Sequence, residues 1–202
     1  MQSIYLSDFQ RISSLEPLRG LRKLNNLYIS AVNTVDLSIF VGLPELRSIS
    51  LVAIENMDYS ILTQFNLDYL STDCNDDIFQ VVKLLSSLKD LTLFDRNTPG
   101  SLTDISGIEQ LHNLIRLCLY TLNVYDISPL TSMQIEELAI NLPDDIDLTP
   151  LLSLPNLTRV HVGWIHTTPA DGDSVLLVRV REILSNVEVF SDFWRFYYEP
   201  HN

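Results

Sequence analysis

The chain of 202 residues is 46% hydrophobic and carries 26 acidic against 13 basic side chains, a formal net charge of −13. The apolar share is ample for a core, and the acidity excludes nucleic acid as a direct ligand because phosphates are repelled; it favours a basic partner met by electrostatic steering, or simply keeps a soluble chain monomeric. No apolar run approaches a membrane span and the start, MQSIYLSDFQR, holds none long enough for a secretory signal, so a cytoplasmic protein with no membrane partner is expected.

At the N-terminus Ile4 and Leu6 are spaced as a strand pair, Phe9 suits a bend, and Ser14-Leu15-Glu16-Pro17-Leu18 reads as a turn. No capping unit precedes Met1, so the first turn is expected to expose an apolar edge that a partner, a second copy through self-association, or a missing upstream segment would cover. From here the chain repeats itself. A phrase of the form LxxLxL begins at Leu24, Leu46, Leu67, Leu88, Leu114, Ile135 and Leu157, at intervals of 22, 21, 21, 26, 21 and 22 residues, with a weaker copy at Val187. A second phrase follows it: Asp36 (DLSIF), Asp58 (DYSIL), Asp104 (DISGI), Asp126 (DISPL) and Asp147 (DLTPL), with a partial copy at Asp77.

The last two apolar residues of LxxLxL are two apart, which is strand spacing, so both point to one side and the residues between them to the other. Each aspartate can accept from backbone N–H groups just ahead and so start a short helical turn, in which Pro129 or Pro150 is tolerated. One such unit cannot bury its apolar side alone; stacked units form one core and a parallel ladder of strands.

Three stretches depart from the simple unit. Asn75-Asp76-Asp77 leads into IFQVVKLLSSL, where Phe79, Val82, Leu84, Leu85 and Leu88 have helical spacing and predict a true helix. The insertion 95–103, DRNTPGSLT, turns at Pro99-Gly100 and projects at the edge of the strand face, either as a tolerated extension or as a contact loop. A second insertion, 166–174, precedes Val175–Leu184, whose residue preference also suits a strand; the need for a back-side element before the next strand predicts a helix, capped by Asp173 or Ser174. The segment 187–202 ends in FSDFWRFYYEPHN, read as an aromatic C-terminal cap or as an aromatic anchor for a partner.

These phrases resemble the leucine-rich repeat family, and most of all its short class of roughly 22 residues seen in internalins and phosphatase-regulatory proteins. The resemblance covers nearly the whole chain and implies an α/β fold over residues 1–202: a single solenoid of about eight repeats, with a curved parallel sheet on the concave face and short helices and turns on the back. The family's usual asparagine after the strand is almost absent, since that place reads Val32, Ile54, Asn75, Arg96, Leu122, Pro143 and Ile165. The bends are therefore expected to be less regular and held by apolar packing.

The inner, concave face is read from places two, four and six of each phrase. It yields aromatic anchors at Tyr28, Tyr69, Phe94, Tyr120 and Trp164, acids at Asp73, Asp90, Asp95 and Glu137, His161, and a central stripe of small residues, Ser50, Ser71, Thr92, Cys118 and Ala139, with room for something to enter. Aromatics with acidic surroundings suit a basic protein surface, although sheet propensity alone also favours aromatics. The repeated aspartates read as turn caps.

No catalytic centre emerges. Cys118 and His161 lie two strands apart, about 10 Å by strand spacing, too far for a nucleophile and its base. The four histidines and two cysteines offer no zinc spacing, there is no phosphate-binding glycine motif among six glycines, and no cofactor is implied. Cys74 and Cys118 lie two turns apart, which makes a disulfide geometrically doubtful and suits a reducing compartment. The expected function is a non-enzymatic protein-binding module, in its most specific form an inhibitor or immunity-type protein of a basic enzyme; the alternative is a regulatory or scaffold subunit.

Overall fold

The leucine phrases become strands. The computed structural model describes residues 2–7, 15–95, 101–121, 123–163 and 173–191, with only the backbone of 32–34. In these residues nine strands form one parallel sheet in sequence order: β1 (Gln2–Ser7), β2 (Leu24–Thr34), β3 (Ser48–Asn56), β4 (Tyr69–Asp73), β5 (Asp90–Phe94), β6 (Arg116–Tyr120), β7 (Glu137–Asn141), β8 (Arg159–Val162) and β9 (Glu188–Phe190). Each strand pairs only with its sequence neighbours and the sheet does not close, which is the topology of a stacked repeat array.

Register is set by the apolar pattern, because a one-residue slip would turn every leucine away from the core. Leu27, Ile49, Leu70, Leu91, Leu117, Leu138 and Val160 align across β2 to β8, as do Ile29, Leu51, Thr72, Leu93, Leu119, Ile140 and Val162. All are buried in one continuous core. Thr72 stands where the other units have an aliphatic residue, and its hydroxyl donates to the Asp73 carbonyl at 2.9 Å, so the polar atom is not left bare.

The back of the array is made of short 3-10 turns and two α-helices. Five turns open on the predicted aspartates: Asp36, Asp58, Asp104, Asp126 and Asp147 each accept from the N–H two residues on, at 2.8, 2.9, 2.7, 2.8 and 2.9 Å. Such local caps contribute about 1 kcal/mol each. In the DISGI phrase Gly107 takes the left-handed φ of 102° and replaces the proline of its neighbours.

Helix α1 (Asp76–Val82) is the predicted true helix; Asn75 caps it by accepting from Ile78 N–H at 2.8 Å, and Phe79 and Val82 enter the core. Leu84, expected on the same apolar side, is instead 60% exposed, because the helix ends at Val82 and the chain turns before it. Helix α2 (Val175–Ile183) is also a helix rather than a strand, capped by Ser174, with Leu176, Leu177 and Val180 buried. No helix of the described residues is long and apolar enough to cross a membrane. Cys74 and Cys118 are buried and unbridged.

Candidate protein-binding face

The face opposite the leucine core carries three columns of side chains. The first runs Asn26, Ser48, Tyr69, Asp90, Arg116, Glu137, Arg159 and Glu188 in successive registered strands. From Asp90 onward its charges alternate in sign. Arg116 bridges its neighbours, with Nη1 2.5 Å from Asp90 and Nε 2.9 Å from Glu137. Glu137 also lies 3.5 Å from Arg159, and its Oε1 is 2.9 Å from Nε2 of the His161 ring. Opposite charges on adjacent strands stabilise a ladder, and this one is largely removed from water: Glu137 and His161 are 2% and 1% exposed.

That environment splits the two carboxylates. Burial pushes Asp90 up to about 6, against the pull of Arg116 and helped by the charge of Glu137. Burial also pushes Glu137 up, but the hydrogen bond with His161 and the cations Arg116 and Arg159 outweigh it and hold the group at about 2. Both arrangements follow from one arginine shared by two acids in a partly dehydrated site.

Linkage then fixes the sign of the pH response. As pH falls from 7 through about 6 toward 3.8, the folded chain takes up a proton at Asp90 that the unfolded chain does not, so stability rises. As pH falls through 4.5 toward about 2, the unfolded glutamate takes up a proton that folded Glu137 refuses, so stability is lost. The capping aspartates Asp36, Asp58, Asp104 and Asp147, all held below the usual carboxylate range by the hydroxyls and N–H groups of Ser38, Ser60, Ser106 and Thr149, add to the acid loss. Urea midpoints measured across pH should therefore peak where these two windows overlap, at about pH 4. The Asp90→Asn variant should lose the rise on the alkaline side of that peak.

The second column is Tyr28, Ser50, Ser71, Thr92, Cys118, Ala139, His161 and Phe190. Its small residues do not line an open slot: Ser71, Thr92, Cys118 and Ala139 are buried, and only Ser50 keeps partial exposure. The third column aligns Asp73, Phe94, Tyr120 and Asn141. Phe94 and Tyr120 meet edge to face with ring centroids 5.9 Å apart, and with Cys118 and Ala139 they form a small apolar cluster separate from the main core. At the far end His161 stacks on Phe190 at 4.9 Å.

The ten sequence-derived site residues thus divide. Asp73, Phe94, Tyr120, Glu137 and His161 are buried; Tyr28, Tyr69, Asp90 and Asp95 are partly exposed; Trp164 lies outside the described residues, as do most of the insertions 95–103 and 166–174 and of the aromatic tail. Two of the acids tie the bends. Asp73 accepts from the N–H of Ala53, itself in the left-handed region at φ 54°, and Asp95 accepts from Asn123 at 2.8 Å and Thr121 at 3.3 Å. The bends are therefore held by carboxylates as well as by apolar packing, which corrects the expectation drawn from the missing asparagines. Asp76, which the sequence marks only as part of a helix start, does the same between units: it accepts from Thr103 N–H and hydroxyl at 2.8 and 2.7 Å.

Exposure returns toward the N-terminal strands. Tyr5 is 75% exposed and its ring lies 5.8 Å from that of Tyr28, while Asn26, Ser48, Ser50 and Tyr69 are partly open. Among the described residues no group of three or more His, Cys, Asp or Glu side chains is placed to hold a metal ion. No model of a known protein family matches the sequence, and no curated protein matches it.

Proposed function

We propose that the chain is a leucine-rich repeat solenoid, with the parallel sheet on a concave face, and that it works as a non-enzymatic module recognising a basic protein. The solenoid reading is supported by nine parallel strands in sequence order, with short turns between them and aspartate caps at a fixed place. The observation that carries the binding reading is the contrast along the inner face. Its half from β5 to β8 is locked by the charge column, whereas β2 to β4 present Tyr28 and Tyr69 among small polar side chains on a rigid frame. Preorganised aromatic residues make strong contacts because little freedom is lost on binding. Asp90 and Glu137 already have cationic neighbours, so the net charge of −13 acts mainly by steering a basic partner toward the chain. The most specific form of this reading is an inhibitor or immunity-type protein; a regulatory or scaffold subunit would use the same face.

The test is a pull-down from the native host at low and moderate salt, with wild type, the double variant Tyr28→Ala/Tyr69→Ala, and Asp126→Ala as a back-side control. A single basic protein, weakened by salt, is the expected catch. The double variant should lose about 2 kcal/mol or more of binding, the size of an interface hot spot, while the control stays near wild type. Undiminished binding by a folded double variant removes the face assignment. The activity of the captured protein then separates the forms: suppressed activity marks an inhibitor, and retained activity marks a scaffold.

A further inference from the structure

The inner face is open at one end of the sheet and closed toward the other. Tyr28 and Ser50 have paired strands on both sides and still keep partial exposure, so strand pairing alone does not bury a side chain on this face. From β5 to β8 the same face is shut off from water. Thr92, Cys118, Glu137 and His161 are at most 2% exposed, and the Phe94 and Tyr120 rings are 5% and 9% exposed.

The described elements do not account for this. Buried side chains of the 3-10 turns and of both helices all join the leucine core on the other side of the sheet. Phe94, Cys118, Tyr120 and Ala139 form a cluster of their own. Phe94, Cys118, Tyr120, His161 and Phe190 each engage a further interaction partner as well.

Chemistry and position select what covers the face. Thr92 Oγ1 and Asn141 Nδ2 are buried on it with no hydrogen-bond partner. A polar covering segment would pair them, and an apolar one leaves them bare. The chain itself arrives at this place. Phe190, at the end of β9, stacks on the His161 ring, and a side chain at Gly163 would meet the Ser191 carbonyl at 3.4 Å, so at Ser191 the backbone still lies against the end of β8. Residues 192–202, outside the described residues, come next, with Phe193, Trp194, Phe196, Tyr197 and Tyr198 within six positions. From β9 back to β5 is about 19 Å at strand spacing, and this stretch reaches about 36 Å when extended. The other stretches fit less well. Residues 96–100 read RNTPG, and 164–172 hold only Trp164 and Ile165 before the mostly polar HTTPADG that must return to α2.

We infer that the inner face from β8 to β5 is a docking site for the chain's own segment 192–202, whose aromatic side chains settle on the Phe94–Tyr120 cluster and on the His161–Phe190 stack. Because the two are joined, the contact forms at high effective concentration and needs no second molecule. It closes this half of the face and leaves β1 to β4 open. A partner that spans the whole face must displace the segment. The docking does not depend on whether a basic partner exists.

The experiment follows the reaction of the two cysteines of the native chain with an aromatic disulfide reagent, resolved by peptide mass mapping. Cys118 lies on the covered face and Cys74 in the leucine core, so one chain carries both probe and control. In the full chain both are buried and should react slowly. Two variants remove the cover: the chain cut after Ser191, and the full-length chain carrying Phe193→Ala, Trp194→Ala and Phe196→Ala. In both, Cys118 should react at least about tenfold faster while Cys74 does not change, because thiol reactivity follows access. Cys118 that stays as protected in these variants as in wild type overturns the inference. So does an equal rise at Cys74, the mark of a segment that the whole core needs. So does a wild-type Cys118 rate that rises on dilution, which would make a second copy the occupant.

Discussion

The Glu137→Ala variant is expected to lose about 3–5 kcal/mol of folding stability, the scale for breaking one partner out of a buried charge network. Arg116, Arg159 and His161 converge on this one carboxylate, at 2.9, 3.5 and 2.9 Å. Removing it leaves two cations side by side across the vacated strand, with Asp90 the nearest opposite charge to Arg116. The site cannot simply fill with water at no cost, because Glu137 and its neighbours on β7 are buried. Glu137→Gln separates charge from shape. It keeps the side-chain volume and one acceptor oxygen, and should cost about 1.5–3 kcal/mol, the scale of a hydrogen bond to a charged group. Urea denaturation at neutral pH measures both. A Glu137→Ala loss under about 1 kcal/mol would place the column in solvent, contrary to its burial.

Phe79→Ala should cost a similar amount, about 3–5 kcal/mol, by a different route. Phe79 is among the largest fully buried side chains and enters the core from α1, where every other unit but the last has only a short 3-10 turn. The 3-10 turns on either side of α1 bury aliphatic residues, Leu62 and Ile108, which do not refill the space of a lost phenyl ring. Phe79→Leu keeps most of the volume and should cost less than about 1.5 kcal/mol. In an array where each unit touches only its neighbours, the loss falls in the middle of the chain. Hydrogen exchange should therefore report faster opening in β4 and β5 than in β7 and β8. Uniform acceleration across the sheet would show that the array unfolds as one block instead.

Elements with a local cause were readable from the amino-acid order. The strand register follows from leucines two apart, the turns from aspartates that reach only two residues ahead, α1 from apolar spacing behind Asn75, and α2 from the need for a back-side element before the next strand, with Asp173 or Ser174 in front. The candidate site was less readable. Asp90, Arg116, Glu137 and Arg159 fall in one column by simple counting, and their alternating sign was the available signal for an internal ladder. Counting does not tell whether a strand face meets water, so in the sequence Asp90 and Glu137 look like surface acids. The bend contacts of Asp73 and Asp95 were hidden for a related reason. Their partners Ala53, Thr121 and Asn123 lie 20 to 28 residues away, so their role depends on how consecutive units are offset.

The alternating column also imposes a parity on how this chain can change length. Excise the unit that carries Arg116, and Asp90 lands beside Glu137, acid against acid on adjoining strands. Duplicate it, and two arginines meet. Either event places like charges together on a buried face, whereas gaining or losing two consecutive units restores the plus-minus order. Over β5 to β8 the repeat that matters for growth is therefore the pair of units, about 43 residues by the spacing of Leu114, Ile135 and Leu157, twice the period that the leucines alone announce.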